Sequence, residues 1–226
     1  METQATNSAA STASIAFNSA RFLTSAAALN QCPEDFGAEV AFAGRSNAGK
    51  SSALNTLTRN GKLARTSKTP GRTRLINFFT LSRSDCRLVD LPGYGYAKVS
   101  HSIQEEWRKH LDDYMSKRRS LRGLTLIMDI RHPLTDFDMM MIEWCEHRQL
   151  PMMILLTKAD KLKKSPAQQQ LQKVRTALKE RPIVQQVTAF SSLKQTGLEE
   201  ARSRISQWLV AGSPEAEQDA GDDSPA

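Results

Sequence analysis

AEVAFAGRSNAGKSSALNTLT, residues 38–58, runs from strand to loop to helix. Its first seven residues, AEVAFAG, have the pattern of a buried strand ending at glycine. Its last eight are helical in character. Between them Gly44, Gly49, Lys50 and Ser51 satisfy G-x-x-x-x-G-K-[ST]. Strand, glycine-bracketed loop and helix in that order make a phosphate cradle. The loop can curl so that several backbone N–H groups face one phosphate, and the helix amino terminus adds a positive field. Lys50 then reaches the β- and γ-phosphates, and the Ser51 hydroxyl is a ligand for Mg²⁺.

Outward from this stretch, apolar runs alternate with amphipathic segments. RLINFFTL (74–81), CRLVDLP (86–92), LTLIMDI (124–130), MMILLT (152–157) and IVQQVTAF (183–190) read as further strands. The helices carry start signals: Ser102 with Glu105, Thr135 with Asp138, Ser165 before Pro166, and Thr196 with Glu199. Their predicted inward faces are Trp107, Leu111, Tyr114 and Met115; Phe137, Met140, Met141 and Trp144; Leu171, Val174 and Leu178; and Leu198, Ala201, Ile205, Trp208 and Leu209. The Met and Trp stripes are core packing. Alternating strand and helix predicts an α/β fold of three layers, α/β/α, around a mostly parallel sheet, with ligands at the carboxyl ends of the strands.

Those ends carry the remaining chemistry. Asp90-Leu91-Pro92-Gly93 closes the third strand: the aspartate can hold a water on Mg²⁺, and the glycine N–H can meet a γ-phosphate. Thr157-Lys158-Ala159-Asp160 closes the fifth. A carboxylate there accepts from N1–H and the exocyclic amine of guanine, whereas adenine leaves it unpaired. Phe190-Ser191-Ser192 closes the sixth, where a backbone N–H can reach guanine O6. Together these motifs assign the phosphates to GTP. A P-loop kinase of small molecules has no need of T-K-A-D. A module holding GTP as a structural ligand stays open.

Composition sets the outer limits. The chain has 226 residues and a net charge of +7. The last sixteen residues hold five acids and no base, so the body before them stands at +12. A body that basic points to a polyanion such as RNA or a ribonucleoprotein. Basic runs fall at Lys62, Arg65, Lys68, Arg72 and Arg74; at Lys117, Arg118, Arg119 and Arg122; and at Lys161, Lys163 and Lys164. No apolar run is long enough to span a bilayer, and METQATNSAASTASIAF lacks the basic leader of a secretory signal. Cys32, Cys86 and Cys145 are odd in number and share no C-x-x-C spacing, which fits a reducing cytosol. Residues 1–15 and 211–226 read as disordered tails around a single domain, 16–210.

GRSNAGKSS, SKTPGRT, DLPGYGYA, MDIRHP, TKADK and FSS resemble the EngB (YihA/YsxC) family of ribosome-biogenesis GTPases, within the translation-factor class of P-loop GTPases. The resemblance runs from about residue 16 to 210. It implies a Ras-like six-stranded sheet with one antiparallel strand, Mg²⁺-dependent GTP hydrolysis, a cytoplasmic monomer, and a role on the large ribosomal subunit and its RNA, with a need in septation and cell division. By motif it carries phosphate binding to Gly44, Arg45, Ser46, Asn47, Ala48, Gly49, Lys50 and Ser51. The first switch becomes Gly71, Arg72, Thr73, Arg74 and Leu75, with Thr73 the second Mg²⁺ ligand beside Ser51; Thr69 is a rival for that role. Asp90, Leu91, Pro92 and Gly93, then Thr157, Lys158, Ala159 and Asp160, then Phe190, Ser191 and Ser192 complete the nucleotide site. Lys50, Thr73 and Gly93 are the residues expected to act on the transferred phosphoryl group.

Two departures matter. Thr157 stands where many GTPases have asparagine. Tyr94 stands where many relatives have the glutamine that orients water, which predicts slow turnover raised by a partner. Asn47 has two readings: an aid to K⁺ binding beside the phosphates, or a residue that fits the loop backbone. Arg131 and His132 match a family D-x-R-H-P stretch and are assigned no role.

Overall fold

The computed structural model describes residues 15–64, 75–93 and 101–211, the side chains of 101–108 excepted. The elements run β1 (Arg21–Ala26), β2 (Ala38–Gly44), α1 (Lys50–Thr58), β3 (Ile76–Thr80), β4 (Cys86–Asp90), α2 (His101–Lys117), β5 (Leu121–Asp129), α3 (Asp136–His147), β6 (Met152–Thr157), α4 (Lys164–Ala177), β7 (Val184–Ala189) and α5 (Leu198–Ala211). Among the described residues the sheet has seven strands, in the order β1-β3-β4-β2-β5-β6-β7. Of these strands β3 runs against the others: it pairs antiparallel with both β1 and β4, and the remaining pairings are parallel.

The count of six strands is therefore corrected to seven. β1 was missed because it is an edge strand with an exposed outer half. Its segment RFLTSA has no apolar run, and Phe22 and Leu23 face solvent. A register shift between Phe22 and Thr24 breaks what alternation it has.

Strand alternation splits the interior into two cores, one on each sheet face. Ala41 and Ala43 of β2 face α2, α3 and α4, together with Leu124, Leu126 and Met128 of β5 and Ile154 and Leu156 of β6. Val40, Phe42, Ile127, Met153 and Leu155 face α1 and α5. β2, β5 and β6 are covered on both sides, which is why they read as continuous apolar runs. Chain connections reverse direction at β2, whose neighbours are β4 and β5. That reversal opens a crevice at the carboxyl end of β2, where the phosphate loop begins.

The helix faces follow the sequence with local shifts. Leu111, Tyr114 and Met115 of α2 are buried, as are Leu171, Val174 and Leu178 and all five predicted positions of α5. On α3 the buried face is Asp138, Met141, Ile142 and Cys145, while Phe137 is exposed. The capping box of Thr135 and Asp138 sets that rotation by drawing Asp138 inward against the Thr135 amide, 2.9 Å away. α4 starts at Lys164, so Ser165 and Pro166 sit inside its first turn, where a missing N–H costs nothing. α5 starts at Leu198, with the Gly197 carbonyl accepting the Ala201 amide. Thr196 lies before it, bridged to Ser191. Ile15 is packed in the core and α5 ends at Ala211, one residue beyond the predicted domain at each end. The readings for 1–14, 212–226 and the Ser102–Glu105 cap lie outside the described residues or side chains.

Candidate nucleotide-binding site

The loop from Gly44 to Ser51 leaves β2 and enters α1 as the motif requires. Its geometry explains its glycines. A Cβ at Gly44 would lie 2.7 Å from the Ile127 carbonyl oxygen, so β2 and β5 close together there only without a side chain. Gly49 adopts φ +104, a conformation L-residues rarely take. Asn47 is left-handed as well, with φ +63, a region asparagine tolerates better than most residues. The Ala48 amide donates to the Arg45 carbonyl across the loop, and the Gly49 carbonyl accepts the Ala53 amide that starts α1.

Lys50 is buried at the first position of α1 and ion-pairs with Asp90 at the end of β4. Leu91 continues the β2–β4 ladder through its amide to the Phe42 carbonyl, 3.0 Å. This carries Pro92 and Gly93 alongside the phosphate loop; a Cβ on Gly93 would meet the Ser46 nitrogen at 3.6 Å. Ser51, half-buried in the first turn of α1, and Asp90 offer hard oxygen donors on neighbouring elements. Such a set fits Mg²⁺, which takes few protein ligands and completes its shell with phosphate and water.

The two base-side loops are interlocked. β6 and β7 end together, with the Phe190 amide donating to Leu156 and the Ala159 amide to Phe190. The Ser191 hydroxyl donates to Asp160 at 2.7 Å and holds its carboxyl below the ordinary range. Asp160 is therefore ionised and aimed by a neighbouring loop. Thr157, at the position many GTPases give to asparagine, still ties the base loop to the phosphate loop: its hydroxyl faces the Ala48 carbonyl, with the Met128 carbonyl 3.0 Å away. Lys158, left-handed at φ +58, donates to the Asn47 carbonyl at 2.7 Å. Ser192 follows in the same turn, and the exposed Leu193 projects beyond it.

Thus the structure gathers Gly44–Ser51, Asp90–Gly93, Thr157–Asp160 and Phe190–Ser192 at one end of the sheet. Gly71, Arg72, Thr73, Arg74, Thr69 and Tyr94 lie outside the described residues; Leu75 is exposed just before β3. A cleft of about 280 Å³ beside the loop is lined by Arg45, Ser46, Asn47, Asp129, His132 and Lys158, among others. Sequence reading left Asp129 out of the site. The signal available was a carboxylate ending a strand next to a strand-end lysine, but their pairing across β5 and β6 is a matter of register.

One reading of the basic surface is corrected. Arg118, grouped with Lys117, Arg119 and Arg122 as a polyanion-facing run, is buried. It is committed to Glu39 at 2.7 and 3.0 Å and to the Pro33 and Glu34 carbonyls. Lys117 and Arg119 are exposed, as are Lys62, Lys161, Lys163 and Lys164.

A family model described as "50S ribosome-binding GTPase" matches residues 39–158. The chain is 55% identical over 204 residues to the "Probable GTP-binding protein EngB" of Aeromonas salmonicida (strain A449), covering 90% of this chain and 94% of that protein. It is likewise 55% identical over 202 residues to the protein of that name from Aeromonas hydrophila subsp. hydrophila, covering 89% and 93%. Among solved structures it is similar to that of a probable GTP-binding protein engB, with TM-score 0.61 and 22% identity over 76% of this chain and 98% of that one. It is also similar to Era in complex with MgGDPNP and nucleotides 1506–1542 of 16S ribosomal RNA, with TM-score 0.58 and 23% identity over 79% and 59%. These two structural likenesses bear on the fold.

Proposed function

The chain belongs to the EngB family of GTP-binding proteins, within the 50S ribosome-binding GTPases, and from that premise we propose that it is a GTP-hydrolysing switch in assembly of the large ribosomal subunit. The observation that carries this is the convergence of four loops at one sheet end, with Lys50 beside Asp90 and with Asp160 held by Ser191. In this reading the Ser46–Ser51 amides and Lys50 hold the phosphates, and Asp160 selects guanine. The Lys158 stem flanks the base, and Phe190–Ser192 close over its O6 edge.

Ser51 and Thr73 would be the protein ligands of Mg²⁺, with Asp90 holding one of its waters. The ion's contribution is to offset charge on the β- and γ-oxygens. Lys50 neutralises the same oxygens, Gly93 reports the γ-phosphate to the segment leading into α2, and Thr73 closes the first switch. With Tyr94 in place of a water-orienting glutamine, turnover is slow until a partner completes the site. K⁺ beside Asn47 is one such aid, so the activated rate should be higher in K⁺ than in Na⁺ buffer; equal rates argue against it. The folding unit is residues 16–210 with Ile15 packed at its margin, acting as a cytoplasmic monomer. A need in septation would follow indirectly from ribosome supply.

The test is single-turnover GTP hydrolysis with and without purified large subunits. Acceleration by the subunit supports a hydrolysing switch. Guanine-nucleotide-dependent binding with no turnover would instead favour an RNA- or ribosome-binding module.

A further inference from the structure

The D-x-R-H-P stretch, left without a role by the sequence, meets the site through its first residue. Asp129 is the last residue of β5 and lies opposite Thr157 in the β5–β6 register. Its carboxylate accepts four hydrogen bonds. Oδ1 takes the Arg131 amide at 3.0 Å and Arg131 Nε at 2.9 Å; Oδ2 takes Arg131 Nη2 at 2.6 Å and Lys158 Nζ at 2.9 Å. The bond to the Arg131 amide closes an Asx turn, and the His132 amide donates to the Asp129 carbonyl at 2.9 Å, so the strand end is fixed twice over. Lys158 is therefore held at one ammonium by two acceptors on different elements: the Asp129 carboxylate on β5 and the Asn47 carbonyl of the phosphate loop.

Lys158 has a backbone reason to need holding. Its left-handed conformation directs the side chain back toward the phosphate loop, and a lysine stem has many rotamers to lose. The neighbouring tether is also reduced: Thr157 offers one hydroxyl proton where an asparagine amide would offer two. The bridge from Asp129 through Lys158 to Asn47 supplies a second fastening between the guanine side and the phosphate side of the site. Arg131, whose guanidinium forks onto Asp129, keeps the carboxylate in the rotamer that faces Lys158 and helps hold it well below the ordinary carboxylate range, against the upward push of burial.

We infer that Asp129, oriented by Arg131, is a positioning residue that fixes Lys158 between the base and the phosphate loop and so sets how long a guanine nucleotide stays bound. The inference rests on the nucleotide-site reading above. In this arrangement Asp129 acts through Lys158.

The experiment is the release rate of a ribose-labelled fluorescent GDP from the full chain, compared among wild type, Asp129→Asn, Asp129→Ala and Arg131→Ala. Melting temperatures are taken alongside, with and without GDP. Asparagine keeps the Asx-turn acceptor and loses the charge, so it separates the ion pair from the turn. Release should quicken at least about tenfold in Asp129→Asn, the loss expected from one charge-assisted hydrogen bond. It should quicken by a smaller factor in Arg131→Ala. The nucleotide-free melting temperature of Asp129→Asn should match wild type while its GDP-induced increment shrinks. The preference for GDP over ADP, set by Asp160, should persist. Wild-type release from Asp129→Asn, with or without a defect in Asp129→Ala, would overturn the inference and leave Asp129 as a turn residue. Failure of the wild-type chain to bind GDP would overturn the nucleotide reading itself, a distinct result.

Discussion

Asp160 carries the claim of guanine selection, and its environment makes the claim testable by pH and by mutation. The Ser191 hydroxyl depresses its pKa. A depressed carboxyl stays ionised above its lowered pKa and loses its charge only as pH falls through that value. Protonation of Asp160 should therefore contribute no loss of GDP affinity between about pH 8 and pH 5. Ser191→Ala should bring the decline to higher pH, which a fluorescence titration at stepped pH would show. Asp160→Asn exchanges an acceptor pair for an acceptor and a donor. It should weaken GTP binding about 100-fold and admit xanthosine triphosphate, whose O2 replaces the amine. Lys50 and Asp90 form a buried pair. Lys50→Ala should remove nucleotide binding and also cost about 3 kcal/mol of stability by leaving Asp90 unpaired. Lys50→Ala with Asp90→Ala should regain stability in urea denaturation without regaining binding. At this scale the sequence was highly legible, because a phosphate cradle is made by contiguous residues. Asp129 escaped it because its lysine lies 29 positions away, just beyond the end of another strand.

At the scale of elements, a buried carboxylate gathers the end of the sheet opposite the nucleotide site. Glu39, fully buried at the second residue of β2, accepts Arg87 Nη1 at 3.1 Å, Arg118 Nη2 at 2.7 Å and Nε at 3.0 Å, and the Tyr114 hydroxyl at 2.9 Å. Arg87 and Arg118 also donate to carbonyls of residues 33–36, so β2, β4, the end of α2 and the segment before β2 share one knot. Glu39→Gln should lower stability by about 3 kcal/mol, because two guanidinium groups lose a buried counter-charge. Tyr114→Phe should cost about 1 kcal/mol. Chemical denaturation would measure both. The carboxyl end of α2 is thus anchored, while its amino end follows the strand-end Asp90–Gly93 motif. The sequence showed that AEVAFAG is a buried strand, and a glutamate inside such a run must have a partner. It could not show which one, since the partners lie 48, 75 and 79 residues away. β1 was illegible for the opposite reason: half its surface is exposed, so burial left no pattern to read.

At the scale of the molecule, charge is divided between a basic body and an acidic carboxyl-terminal stretch. Exposed Lys161, Lys163 and Lys164 follow directly from the base loop, whereas Arg118 is spent inside the fold. Reversing Lys163 and Lys164, which leaves the Lys161–Asp160 ion pair in place, should weaken ribosome association at least tenfold and flatten its salt dependence, with GDP affinity unchanged; filter binding across a salt series would show it. Charge reversal at Lys68 and Arg72 tests whether the first switch also contributes to that contact. The most direct measurement of the central claim is sedimentation of the chain with purified large ribosomal subunits, in GDP and in a non-hydrolysable GTP analogue, with hydrolysis followed in parallel. The proposed switch predicts association favoured by the analogue and faster hydrolysis on the subunit. Equal association in both nucleotides, with no acceleration, would contradict it.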